Sequence, residues 1–191
     1  MKRIAIFASG SGSNAQKIAE YFSARTDIEV SLILTNNPEA GVIQRARKFH
    51  IPVVIFDRKT FYETGRILKL LKNEGIDLIV LAGFMMLIPD FLVQGYVDKM
   101  INIHPALLPK YGGKGMYGSF VHEAVVAAKE KESGITIHFV NEHYDEGNVI
   151  FQTTCEVLET DTADDVAEKI HALEHYHFPR VIDEVISGPG F

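Results

Sequence analysis

Short, unbroken apolar runs recur through the first hundred residues. Each is followed by a stretch in which apolar side chains fall three and four positions apart. Residues 2–9 hold Ile4, Ala5, Ile6, Phe7 and Ala8 in one run, and residues 30–35, 52–56 and 77–82 repeat the form. Runs this short and without alternation fit strands buried on both faces. Residues 14–22, 38–49 and 61–73 predict helices; Val42, Ala46 and Phe49 share one face, as do Ile67, Leu68 and Leu71. Gly75 sits where a helix C-terminus favours glycine. The β-α-β-α alternation predicts a parallel sheet covered by helices on both sides.

The second half reads differently. Residues 89–97 predict a short helix, 100–103 a fifth strand and 121–131 another helix. Residues 134–140 alternate as a strand does, and 149–156 make its neighbour. The short link between them predicts an antiparallel pair. Residues 162–187 predict a long final helix, broken near Pro179. Residues 110–119 hold four glycines and read as a lid or a ligand-facing turn. The fold class is therefore α/β: a Rossmann-like, mostly parallel sheet flanked by helices, with antiparallel strands added in the C-terminal half. No repeat or linker divides the chain, so one domain is expected over residues 1–191, in two halves, 1–100 and 101–191.

Composition narrows the partners. The 191 residues are 47% hydrophobic and carry a formal net charge of -6, with no stripe of Lys or Arg. Nucleic-acid and membrane partners are not expected; small molecules are. Cys155 is the sole cysteine, which forbids an intrachain disulfide and suits a reducing compartment. The residues from Met1 to Phe7 begin like a signal peptide, but the polar Gly10 to Asn14 end the apolar run too early. A cytoplasmic protein, monomer or homodimer, is the expectation.

Three places carry candidate chemistry. Asn102 and His104 are polar residues inside an apolar strand, two apart, so they share a face just before Pro105. Strand ends in open α/β sheets are where ligands bind; a turn cap is the plainer alternative. The segment Ser9-Gly10-Ser11-Gly12-Ser13-Asn14-Ala15 lies between the first strand and first helix and satisfies G-x-G-x-x-A. A dinucleotide site also needs an acid at the end of the second strand, where this chain has Thr35-Asn36-Asn37. Glycines, hydroxyls and backbone N–H groups at a helix start favour a single phosphate monoester, or a tight turn with no ligand. Asp145, in the turn His143-Tyr144-Asp145-Glu146-Gly147, could hold His104 and raise its pKa if that turn folds over the fifth strand's end. An acid-rich, water-facing turn remains the alternative, and His138 reads equally as structural. His171-Ala172-Leu173-Glu174-His175 matches H-x-x-E-H, yet no third zinc ligand is evident, so no metal is expected.

Taken in order, the Gly10 to Asn14 loop, Asn102-Ile103-His104-Pro105, Leu107-Leu108-Pro109-Lys110-Tyr111 and Asp145-Glu146-Gly147 make the chain resemble the phosphoribosylglycinamide formyltransferases. These are formyl-tetrahydrofolate enzymes of purine biosynthesis, and the resemblance covers essentially the whole chain. It implies formyl transfer from 10-formyltetrahydrofolate, a co-substrate, to the amine of glycinamide ribonucleotide, through a tetrahedral intermediate. It implies a phosphate-binding half, 1–100, and a folate and catalytic half, 101–191. His104 would be the proton donor, Asn102 the oxyanion group and Asp145 the carboxylate that raises the His104 pKa. Gly12, Ser13, Asn14 and Glu174 would bind the ribonucleotide. Lys59, Met85, Met86, Leu87, Ile88, Asn102 and Val140 would bind the folate. A formyltetrahydrofolate deformylase would use the same Asn-His-Asp set with water as acceptor, and a non-catalytic nucleotide-binding module would use only the loop. Related families carry extra domains that are not expected here. The chain departs from the family at Met86, where Arg is common, at His171, and in the loop 111–118, commonly a Tyr-Pro-Gly form.

Overall fold

The computed structural model describes residues 1–191. The elements run β1 (Lys2–Phe7), α1 (Ser13–Phe22), β2 (Ile28–Thr35), α2 (Val42–Lys48), β3 (Val53–Ile55), α3 (Arg58–Glu63), α4 (Arg66–Asn73) and β4 (Leu78–Leu81). Then follow α5 (Asp90–Gly95), β5 (Met100–His104), α6 (Ser119–Ala127), β6 (Glu132–Phe139), β7 (Val149–Glu156) and α7 (Ala163–Ser187). All seven strands join one sheet in the order β3-β2-β1-β4-β5-β6-β7. The first five are parallel, whereas β6 and β7 run antiparallel.

Side-chain alternation divides the core in two. Ile4, Ile6, Ile33, Val80, Ile101 and Ile137 belong to the cluster that receives α1, α2, α6 and α7. Ala5, Phe7, Leu34, Ile79, Leu81 and Met100 belong to the one that receives α3, α4 and α5. A strand covered on both faces must be apolar at every position, which is why the runs do not alternate. No helix is long and apolar enough to cross a membrane.

Two sequence expectations need correction. The helix predicted over 61–73 is two helices. Asp57 caps α3 by accepting from the Thr60 N–H at 2.6 Å, and Gly65, at φ 63, breaks the chain before α4. Apolar periodicity carried across the break and concealed it. The last helix is not broken at Pro179: α7 is continuous from a Thr162–Asp165 capping box to Ser187. Pro179 is buried among the residues α7 turns to the sheet; that packing outweighs one missing backbone bond.

Strand order sets the site. The chain moves outward from β1 through β2 to β3, then returns to the other side of β1 at β4. The carboxyl ends of β1, β4 and β5 therefore open onto the crevice where the connections diverge, the usual ligand position in such sheets. Phe84, just beyond β4, packs edge-on against Phe7 at 5.3 Å and Phe61 at 5.6 Å. Each such pair is worth about 0.5–1.5 kcal/mol, and together they hold the wall of the crevice.

Candidate active site

A cavity of about 570 Å³ occupies this crevice. One end is the turn after β1. Gly12 has φ 75, and a Cβ there would lie 2.7 Å from the Val42 Cα, so only glycine fits. No side chain caps α1, leaving the N–H groups of its first turn to face a ligand. The end of β2 is neutral, and its polar groups are engaged within the chain: Asn36 accepts from the Ser9 hydroxyl at 2.7 Å.

Asn14 is buried, and its Nδ2 donates to Glu174 Oε2 at 2.9 Å across a sequence distance of 160 residues. Its Oδ1 has no partner. Glu174 is 6% exposed. Burial pushes its pKa up, against the Asn14 hydrogen bond and the nearby His171 charge. The His171 and His175 rings stack at 6.1 Å, and no three His, Cys, Asp or Glu side chains gather around a point where a metal could sit.

The other end of the cavity is built across two strands and a turn. In the antiparallel register Asn102 faces His138 and His104 faces Thr136, so the polar pairs meet on one surface. Asn102 Nδ2 lies 3.1 Å from His138 Nε2 and 3.4 Å from Asp145 Oδ1. Because Asp145 accepts, the amide nitrogen faces both groups. Its contact with Asp145 is the longer, and so the N–H more readily redirected. His138 Nδ1 lies 2.8 Å from the Phe139 carbonyl.

Asp145 stands between the two imidazoles. Oδ2 is 3.6 Å from His104 Nδ1, and Oδ1 is 3.6 Å from His138 Nε2. The Gly113 N–H donates to Oδ2 at 2.9 Å. His104 Nε2 lies 2.7 Å from the Tyr111 carbonyl, a geometry in which Nε2 holds a proton and Nδ1 faces the carboxylate. Asp145 itself adopts φ 56. The turn is pinned by Gly147, where a Cβ would lie 1.7 Å from the Phe139 oxygen.

Burial sets the electrostatics of the pair as much as charge does. His104 is 4% exposed, and burial drives its pKa below the ordinary 6.5. Asp145 and the Tyr111 carbonyl pull the other way without overcoming that desolvation. The carboxylate's own influence is upward, and burial, the larger influence, is downward. Burial also works to raise Asp145, but His138, the His104 charge and the Gly113 N–H together hold it below the usual carboxylate range.

The structure brings Gly12, Ser13, Asn14, Asn102, His104, Asp145 and Glu174 to one cavity, together with Met85. Beside it is a smaller pocket of about 70 Å³, lined by Met86, Leu87, Ile88 and Val140 and sharing Asn102 and Asp145. Lys59 lies exposed on α3 and lines neither. The glycine-rich loop does face the cavity, through residues 113–118.

Sequence reading left His138 open and missed His122, the Tyr111 carbonyl and the Gly113 N–H. His138 could have been found from the alternation Thr136, His138 opposite Asn102, His104, had the pairing register been known. The two backbone groups carry no side-chain signal. His122, 4% exposed with Nδ1 unpartnered, lines the same cavity.

Comparison with known proteins agrees with this geometry. The family model described as formyl transferase matches residues 2–182. A Bacillus subtilis protein named phosphoribosylglycinamide formyltransferase is 39% identical over 191 residues, covering 97% of this chain and 95% of that one. The chloroplastic protein of that name from Arabidopsis thaliana is 38% identical over 190 residues, covering 96% of this chain. The chain spans 65% of that plant relative's length. The crystal structure of phosphoribosylglycinamide formyltransferase from Bacillus halodurans superposes with a TM-score of 0.88 at 38% identity, covering 97% of this chain and 96% of that one.

Proposed function

The chain belongs to the formyl transferase family, and from that premise we propose that it moves a formyl group from 10-formyltetrahydrofolate to the primary amine of glycinamide ribonucleotide, a step of purine biosynthesis. One observation carries the reading. A single cavity joins an uncapped helix start suited to a phosphate with an Asn-His-Asp cluster suited to a developing oxyanion. The phosphate lies against Gly12, Ser13 and Asn14, and Glu174 meets the ribose or amine. The pterin enters by the smaller pocket, where Met86, Leu87, Ile88 and Val140 provide apolar walls and Asn102, Asn141 and Asp145 polar ones. The first hundred residues supply the phosphate end and the remainder the folate and catalytic end.

The chemistry follows from the charges. The amine attacks the formyl carbon, giving an oxyanion and a positively charged nitrogen. Asn102 turns its longer-held N–H from Asp145 to the oxyanion. A neutral His104 accepts the surplus proton of the attacking amine at Nδ1, the nitrogen not engaged by the Tyr111 carbonyl, and the adjacent Asp145 stabilises the imidazolium. The proton then passes to folate N10 as the C–N bond breaks. One proton has moved from amine to N10, and the products are the formamide and tetrahydrofolate. His104 thus acts as the proton donor after first receiving the proton, which suits a resting imidazole below its usual pKa.

Incubating the protein with 10-formyltetrahydrofolate, with and without glycinamide ribonucleotide, tests the reading. Tetrahydrofolate is expected only when the amine is present. Release without it would mean hydrolysis; no release in either mixture would leave a binding module.

A further inference from the structure

We propose that Lys114 is the cation that binds the substrate's phosphate and selects the nucleotide over the nucleoside. This rests on the reading of the cavity as a glycinamide ribonucleotide site. A phosphate monoester carries about -1.5 to -2 charges near neutrality. The turn from Gly10 to Asn14 meets it with N–H groups and hydroxyls but no charged side chain. The rest of the cavity is unhelpful, since Asp145 and Glu174 both line it.

Two other cations near the turn are already engaged. Arg45 donates through Nε to the Ser11 carbonyl at 2.8 Å and through Nη1 to Gln16, and it does not line the cavity. Lys17 pairs with Glu20 at 2.8 Å. Lys114 is the one Lys or Arg in the cavity lining, and it forms no ion pair with any carboxylate. Gly113 and Gly115 flank it at φ 91 and 90, with open space around both, so its side chain is free to swing to the phosphate.

Two buried groups point independently to a ligand here. Asn14 and His122 both line the cavity, and each carries a buried polar atom without a partner, Oδ1 of Asn14 and Nδ1 of His122, which a small side-chain turn would offer to a ligand. The loop that carries Lys114 also supplies the Tyr111 carbonyl to His104 and the Gly113 N–H to Asp145.

The test compares wild type with K114M, K114R and the control K17M in steady-state kinetics. In K114M the KM for glycinamide ribonucleotide should rise about tenfold or more, equivalent to about 1.4 kcal/mol. The kcat and the KM for formyl folate should stay nearly unchanged, K114R should recover most of the loss, and K17M should match wild type. With glycinamide riboside, which lacks the phosphate, K114M and wild type should behave alike. A titration with inorganic phosphate followed by 31P NMR should show the same weakening in K114M. That arm judges Lys114 even if no formyl transfer occurs, an outcome that would count against the function and not against the lysine. An unchanged ribonucleotide KM with unchanged phosphate binding, an equal loss for folate, or an effect carried instead by H171A would overturn the proposal.

Discussion

The two ends of the cavity are made in opposite ways. The end proposed to hold the phosphate is built mainly from one short segment: five consecutive residues after β1, a glycine excluded from being anything else by Val42, and the bare start of α1, with Glu174 reaching Asn14 from α7. The end proposed to be catalytic is assembled from β5, β6, the turn at Asp145 and the backbone of residues 111–113. At the first end most of the groups offered to a ligand are backbone N–H groups, which keep their character whatever surrounds them. At the second, each group's state depends on burial and on neighbours from other segments. Damage should therefore differ in kind: loss of binding at one end, loss of turnover at the other.

The largest expected effect sharpens that contrast. H104A and D145N should each lower kcat by about 10²–10⁴, the usual range for a positioned acid–base group, while circular dichroism and melting stay near wild type. Retained turnover in either would remove the proposed proton route.

G12A strikes the opposite end. It forces a left-handed backbone on alanine and a contact at 2.7 Å with the Val42 main chain. Strain of this kind is worth about 1–3 kcal/mol. It should appear as a raised KM for the ribonucleotide and a lower Tm, with the KM for folate little changed. Equal rises in both KM values would erase the distinction between the two ends.

Glu174 joins the ends to stability. Its folded pKa lies above the ordinary 4.5 because burial disfavours the carboxylate. The folded state keeps a proton that the unfolded chain gives up. The associated stability is fully present below pH 4.5 and is lost as pH rises through the folded pKa. E174Q has no such proton, so it should melt higher than wild type at pH 8 and most nearly match it near pH 4. A gain of about 1 kcal/mol would be about 2–4 °C for a chain of this size, read by paired thermal melts. A Tm difference independent of pH would show that the carboxyl is not held protonated.

The smallest effect is spectroscopic. The His104 ring, followed by NMR, should titrate below 6.5. In D145N it should titrate lower still, because the carboxylate is a force acting upward. An upward move on removing Asp145 would reverse the assigned electrostatics.

Much of the fold was legible in advance because its signals are local. The apolar runs around Ile6, Leu34, Val80 and Ile101 need only the rule that a doubly covered strand has no polar side. The break at Gly65 escaped because hydrophobic spacing continues across it. The continuity of α7 through Pro179 escaped because a residue preference was read without the packing that overrides it. At the site, Asn102 and His104 stood out as polar residues in an apolar strand. His138 beside them did not, since its role comes only from facing Asn102 across β5 and β6.

By itself the chain of residues determined the parallel sheet, the tight turn at Gly12 and the same-face placement of Asn102 and His104, because periodicity and steric exclusion act between near neighbours. Only the tertiary structure decided that Asp145 stands between two imidazoles, that Asn14 reaches Glu174, and that burial pulls the His104 pKa down despite its carboxylate. Those outcomes depend on distance and desolvation among segments far apart in the chain, and neither quantity exists until the sheet has closed around them.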